Sequence, residues 1–526
     1  MKHSSKIKEG WTHFSSSVRR FSSGVMLSRL TGLGRDLSMA YAFGAHPSVA
    51  ALLVAFRFAH LLRRLFGEGA VHAAFIPQFE RLKQEREESA YHFFRQLTLA
   101  LAVAVLAVTF LLEFGLGGTL LWASLRINNR EVIYLLCWLL PSLLFICLYA
   151  LNSAFLHCYR SFFLANSAPA ACNLIWIGAA LSLRSLPPSR AMPILAKWIV
   201  GAVAAQWMLT ALPIVWKMQG KRERWPKERG KKELTIFTRA VAFGIVGVGA
   251  TQLNSFLDAL FSRYSELEGP VYLWYAIRCY HIPIALFGLA TVQTLIPPLS
   301  RALQQGAFDE GKRLFVFGMR RLAVAMAVLT GGLCAASFPL IDLLFGWGQF
   351  SSDAVMKTAA CLVAYAAGLF PSVAVVLCAA VYYGEGNFRV PMWFSLGAVA
   401  FNAALNALLI LGFGLGPVSV AASTSASAWC QFLGLRALLA RRGWPLGLEL
   451  KAALQLGGVI GGALLAAQAY QHVFLPSSKL LAFFASSGIF GVLVGTYGAL
   501  GRHVGLRQFF LTYLGWSRKA WNKESD

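Results

Sequence analysis

Residues 96–123 read QLTLALAVAVLAVTFLLEFGLGGTLLWA, and Glu113 is the one charged side chain among them. About 20 apolar residues in a helix cross the hydrocarbon core of a bilayer, so this stretch reads as a membrane span with length to spare. The whole chain has the same character. Its 526 residues are 57% hydrophobic and 13% charged, with a mean hydropathy of +0.58, whereas soluble domains carry roughly 25% charged residues. That composition excludes soluble architectures and predicts an all-α polytopic membrane protein of about 14 transmembrane helices. The nine cysteines are scattered, mostly in apolar runs, without a CxxC pair or zinc spacing, which predicts buried free thiols.

The net charge of +25 would suggest nucleic acid in a soluble protein. Its placement gives another reason for it. With the N-terminus in the cytoplasm, roughly thirty Lys and Arg fall in inner loops and tails, and fewer than ten fall outside, the asymmetry that orients membrane proteins. Both termini are then cytoplasmic, and no nucleic acid is needed. The first residues, MKHSSKIKEGWTHFSSSVRRFSS (1–23), lack the apolar core of a signal peptide and read as a basic cytoplasmic lead-in.

Two segments repeat. FIPQFERLKQ (75–84) closes the second span and LIPPLSRALQ (295–304) closes the eighth, with Ile-Pro, Arg and Gln in register. An offset of six spans keeps both copies facing the same way, which predicts two parallel six-helix bundles related by an axis along the membrane normal. The expected organisation is a lobe over 24–216, a basic linker over 217–234 containing KMQGKRERWPKERGKKE, a second lobe over 235–441, two further spans over 442–500 and a basic cytoplasmic tail over 501–526.

Some charges lie where the bilayer should forbid them. Arg or Lys at the centre of a span costs about 2.5–3.5 kcal/mol on insertion scales, so such residues usually face a cavity. In span one, SRLTGLGRD places Ser28, Arg29, Arg35 and Asp36 in an apolar frame. Gly32 and Gly34 weaken the helix between the arginines, so a bend or unwound turn is expected to aim both into one cavity. Span two, through LLRRLFGEGA, adds Arg57, Arg63, Arg64 and Glu68, and span eight adds Arg278 in WYAIRCYHIP. Plainer roles compete: Arg64 and Glu68 stand four apart and can neutralise each other, and an arginine near a helix end can snorkel to the headgroups. As a set, Arg29, Arg35, Arg63 and Arg278 predict a cationic cavity for an anionic, phosphate-bearing substrate, because the guanidinium fork matches phosphate oxygens.

Polar oxygens gather in other spans. Asn254 and Asp258 share a helix face, as do Asn402 and Asn406, and Thr424 lies in the twelfth span. Such a set suits a small hard cation and equally suits interhelical hydrogen bonding. GAFDEGKR (306–313) nearly spells a phosphate-binding loop, but Arg313 stands where the hydroxyl belongs, so nucleotide binding is not expected.

SRLTGLGRDLSMAYAFGA (28–45) followed by LLVAFRFAHLLRRLFGEGAVHAAFIPQF (52–79) closely resembles the opening of the MurJ (MviN) family of lipid II flippases, within the multidrug/oligosaccharidyl-lipid/polysaccharide exporter superfamily. Weaker resemblance runs through YAIRCYHIPIALFGLATVQTLIPPLSR, NAALNALLI and TSASAW, to about residue 430. The resemblance implies a transporter, not an enzyme, that moves lipid-linked peptidoglycan precursor to the outer leaflet of the bacterial inner membrane by alternating access. It implies lipid II and membrane lipids as partners, with cell-wall synthesis machinery nearby. It places the substrate cavity at Arg29, Arg35, Arg63, Glu68 and Arg278, with Ser28, Asp36 and Arg64 in support. Its sodium site falls on Asp258, Asn402, Asn406, the carbonyl of Val420 and Thr424; no other cofactor is implied. The chain departs from the family pattern at Ala50 and Ile277, where many members carry an acid, and at Ala59-His60, where they carry Pro-Asn. Rival readings are a flippase for another polyprenyl-linked oligosaccharide, or a cation-coupled drug exporter, which should carry acids where this chain has arginines.

Overall fold

The computed structural model describes residues 2–66, 70–122, 127–219, 227–445, 450–473 and 478–499; among these the chain is helical, without a strand. The first helices are α1 (Lys2–Phe43), α2 (Pro47–Phe66), α3 (Ala70–Glu85), α4 (Glu87–Trp122), α5 (Ile127–Leu139), α6 (Ser142–Cys158), α7 (Phe162–Ser182), α8 (Pro188–Lys217) and α9 (Lys227–Ser265). They are followed by α10 (Gly269–Pro283), α11 (Ala290–Gln304), α12 (Phe308–Phe345), α13 (Ser352–Ala366), α14 (Leu369–Gly384), α15 (Arg389–Ala407), α16 (Val418–Arg441), α17 (Leu450–Val473) and α18 (Lys479–Ala499). π-Helical segments follow α10 (Ile284–Leu289) and α15 (Leu408–Gly412). Among the described residues, eight helical stretches are long and apolar enough to cross a membrane, or nine with the α5–α6 pair, which is bent by 43°. The expected count of about fourteen is consistent with this. Segments absent from the eight include α1, α2, α9 and α16, which carry in-span charges or hydroxyl groups, whereas the stretches bearing Arg278, Asn402 and Asn406 are among the eight.

Two compact units divide at Ala259/Leu260, inside α9. In the first, α2 packs on α5, α3 on α4 and α6, α6 on α8, and α7 on α8. In the second, α10 packs on α13, α11 on α12 and α14, α14 on α16, and α15 on α16. Each of these five pairings recurs eight elements later. The Ile-Pro segments at 76–77 and 296–297 sit in the corresponding helices α3 and α11, so the parallel pseudo-repeat extends well beyond ten residues. The two additional helices, α17 and α18, pack on α12.

α1 corrects one expectation. It is helical without a break through Gly32 and Gly34. α1 lies tight against α7 at Gly24, where a Cβ would stand 3.0 Å from the Phe163 carbonyl, while at Gly32 and Gly34 a Cβ would make ordinary contacts, 3.6 Å from Asn173 and 3.5 Å from Ile177. Small residues at such interfaces allow backbones to approach closely where lipid supplies no hydrophobic drive. All nine cysteines are free, as their scatter predicts.

The start of α9 is held by the first unit. Glu233 is buried, and its carboxylate accepts hydrogen bonds from Gln78 Nε2 (2.6 Å) and Arg81 Nη2 (2.5 Å); Gln78 also donates to the Glu233 carbonyl (2.8 Å). Phe237, one turn on, enters the aromatic core formed by Phe75, Phe79, Phe93 and Phe155. In the second unit, Gln471 of α17 donates to the Ala335 carbonyl of α12 and to Ser486 of α18, while Lys479 pairs with Asp342 at 2.7 Å. Gly331 of α12 sits directly under Ile460 and Phe490.

Candidate functional site

The first unit gathers most of its in-span charge around α1, α2 and α7. Arg35 is largely buried, its side chain 13% exposed, and its Nε and Nη2 donate to Asp36 Oδ1 at 3.2 and 2.9 Å. Its Nη1 donates to Asn173 Oδ1 on α7 at 3.2 Å, and the guanidinium lies 4.9 Å over the ring of Trp176. Trp176 is itself fixed, donating to Met39 Sδ and meeting Phe56 of α2 edge-on at 5.1 Å. Asp36 is buried beside Arg35, so the pair enters the membrane interior as a local dipole with the arginine held outstretched.

Arg63, near the end of α2, is partly buried. Arg35 and Arg63 both lie close enough to Cys172 of α7 for their charges to act on it. Of the two, Arg35 is the one joined to α7 by a hydrogen bond, through Asn173. Ser28 contributes its carbonyl, which accepts from Asn173 Nδ2 at 3.2 Å. Arg29 and Arg64 are exposed, and Arg29 is not joined to the Arg35–Asn173 network: a continuous helix turns residues six apart to different faces. Glu68 lies outside the described residues.

Arg57 has a different place. It is buried, and its Nη1 donates to the Ser255 carbonyl of α9 at 2.9 Å, beside the ring pair Phe58–Phe256. That carbonyl is in the same turn as Asn254 and Asp258, where Asn254 Nδ2 donates to Asp258 Oδ2 at 3.3 Å. Asp258 is buried. Ala50, where family members carry an acid, is fully buried in α2.

In the second unit, Arg278 of α10 is partly buried, its guanidinium 4.5 Å over the ring of Trp274. Six residues later the helix passes into the π segment Ile284–Leu289, where Gly288 lies against Val373 closely enough that a Cβ would meet it at 2.6 Å. Such wide turns recur at functional sites. Asn402 and Asn406 are fully buried on α15, which packs on α16. There Thr424 Oγ1 donates to the Val420 carbonyl at 3.0 Å. Carboxylate, amide, hydroxyl and carbonyl oxygens are the donors a hard cation takes, so the side chains fit a sodium ion in kind. No group of three or more His, Cys, Asp or Glu gathers for a metal among the described residues.

The sequence reading passed over Asn173 and Trp176. Their only signal was two polar-capable side chains, three apart, in the apolar run AACNLIWIGAA.

The profile of the family described as "Lipid II flippase MurJ" matches residues 39–493, past the point where motif resemblance faded. A probable lipid II flippase MurJ of Chlamydia muridarum is 34% identical over 413 residues, covering 78% of this chain and 76% of its own. The lipid II flippase MurJ of Burkholderia cenocepacia is 27% identical over 432 residues, 78% of this chain and 81% of its own. Among solved structures, a lipid II flippase MurJ in an inward closed conformation superposes with a TM-score of 0.71 at 22% identity, covering 92% of this chain and 99% of that one. An inward-facing multidrug resistance MATE transporter of the MOP superfamily shares the fold, with a TM-score of 0.62 at 13% identity over 81% of this chain and 98% of its own.

Proposed function

Because the chain belongs to the MurJ family of lipid II flippases, we propose that Arg35 and Arg63 of the first unit, with Arg278 of the second, hold the pyrophosphate of lipid II during its passage across the membrane. The activity is transport, not a chemical transformation, and the protein is a multi-pass membrane protein. The observation that carries the reading is Arg35: a guanidinium in an apolar helix pair, held by Asp36, Asn173 and Trp176. Charges inside spans pair with one another and mark substrate paths; Arg35 is partnered by Asp36, and its planar fork still offers donors to phosphate oxygens.

In this reading the site opens first to the cytoplasm and admits the pyrophosphate and sugars, while the polyprenyl tail stays in lipid. The lobes then exchange access and release the head outward. The protein sits in the bacterial inner membrane with both termini cytoplasmic, as the loop charges favour. Arg29 adds a further cation to the same path, and Arg64 flanks it. A sodium ion, when held by oxygens of Asp258, Asn402, Asn406, Val420 and Thr424, would offset the buried Asp258 carboxylate.

The test is replacement of the resident flippase in a bacterium where it can be switched off, reading lipid II on the outer leaflet at matched expression. Wild type should restore exposure. Arg63→Ala and Arg63→Lys should both lose at least about tenfold, since a hydrogen bond to a charged group contributes about 1.5–3 kcal/mol and a lysine ammonium lacks the fork. Full activity of Arg63→Ala would remove that arginine from the site. Failure of well-folded wild type would favour another polyprenyl-linked cargo.

A further inference from the structure

We infer that Asn173 is a positioning residue for the anion site: its amide fixes Arg35 and ties it to the helical turn bearing Ser28 and Thr31. The inference rests on the pyrophosphate reading above and adds a residue to it.

One buried amide makes three hydrogen bonds, all to α1. Oδ1 accepts from Arg35 Nη1, while Nδ2 donates to the Ser28 carbonyl and to Thr31 Oγ1, each at 3.2 Å. The donors and acceptors settle which way the amide points, because only oxygen can accept from the guanidinium. Thr31 is in turn anchored to the Leu27 and Ser28 carbonyls. The amide thus spans two turns of α1 from one point on α7, opposite Gly32. Without Asn173, the guanidinium would still meet Asp36, its chain neighbour, but would lose the hydrogen bond that holds its Nη1 toward α7. Trp176, one turn on, limits the ring face on which the guanidinium can rest. An arginine braced at three points loses little freedom when it grips phosphate, which is how a surrounding shell raises affinity.

The test uses the full-length protein in proteoliposomes containing lipid II, with two readouts. One is the rate of lipid II translocation. The other is modification of Arg35 by phenylglyoxal without lipid II, followed by peptide mass spectrometry. Asn173→Ala should slow translocation about tenfold and speed Arg35 modification several-fold. In an Arg35→Ala background it should slow translocation no further. Asn173→Asp, which keeps an acceptor for Arg35 but adds negative charge, should keep Arg35 protected and still transport poorly.

If Asn173→Ala leaves both readouts at wild-type values, the inference is overturned while the pyrophosphate reading stands. An equal further loss in the Arg35→Ala background also overturns it, since the amide would then act independently of Arg35. If wild type moves no lipid II but Asn173→Ala still unmasks Arg35, positioning holds and the cargo reading fails.

Discussion

Arg35 and Arg63 were legible as candidate residues because a charge inside a span is conspicuous and expensive. Their support was not. Asn173 stands 138 residues from Arg35 in the chain, and an asparagine in an apolar helix carries no mark of what it faces. Arg57 shows the converse: it looked like its neighbours in sequence, yet its guanidinium serves the Ser255 carbonyl of α9. A backbone detail at this scale makes a separate prediction. Arg160, in the turn between α6 and α7, has φ +57°, in the left-handed region, which costs a residue with a Cβ roughly 1 kcal/mol or more. Arg160→Gly should keep or slightly raise thermal stability in detergent, whereas Arg160→Val should lower it by about 1 kcal/mol or more. Equal melting of the two variants would contradict the strain.

At the scale of elements, spans were readable from apolar length, and their interruptions were not. Gly32 and Gly34 suggested a broken α1, because helix propensity alone counts glycine as a weakness. In the structure the lost propensity is offset by packing, and the breaks fall elsewhere, at the π segments after α10 and α15. The same packing predicts which glycines resist substitution. Gly24→Leu must displace the backbone of α7 at Phe163, and Gly331→Leu must push Ile460 and Phe490 off α12. Each should cost about 1–3 kcal/mol, the usual penalty of overpacking. Gly457→Leu, whose Cβ meets nothing within 4 Å, should cost far less. Thermal unfolding of the three variants in one detergent checks the order.

For the whole molecule, the Ile-Pro echo was enough to suggest two like halves, and the recurring helix pairings bear that out. The energy source was not readable, since neither a sodium-type donor set nor a cationic cavity states which gradient is used. Electrostatics gives an expectation. If the arginines stay with the protein while a pyrophosphate dianion leaves outward, an inside-negative potential contributes roughly 2.3 kcal/mol per charge per 100 mV. Imposing such a potential on sodium-free proteoliposomes should speed lipid II translocation in the outward sense, and reversing it should slow it. Indifference to voltage, with dependence on sodium, would move the drive to the oxygen set around Asp258.

The anchoring of Glu233 also bears on how the protein is made. Its carboxylate is buried only because Gln78 and Arg81, about 150 residues earlier in the chain, are there to receive it. During synthesis the first half leaves the ribosome before α9 exists, and domains generally fold in that order. The finished first half then serves as a template on which the seventh span is seated. A fault in α3 would therefore be felt as faulty insertion of a helix not yet translated when α3 was laid down.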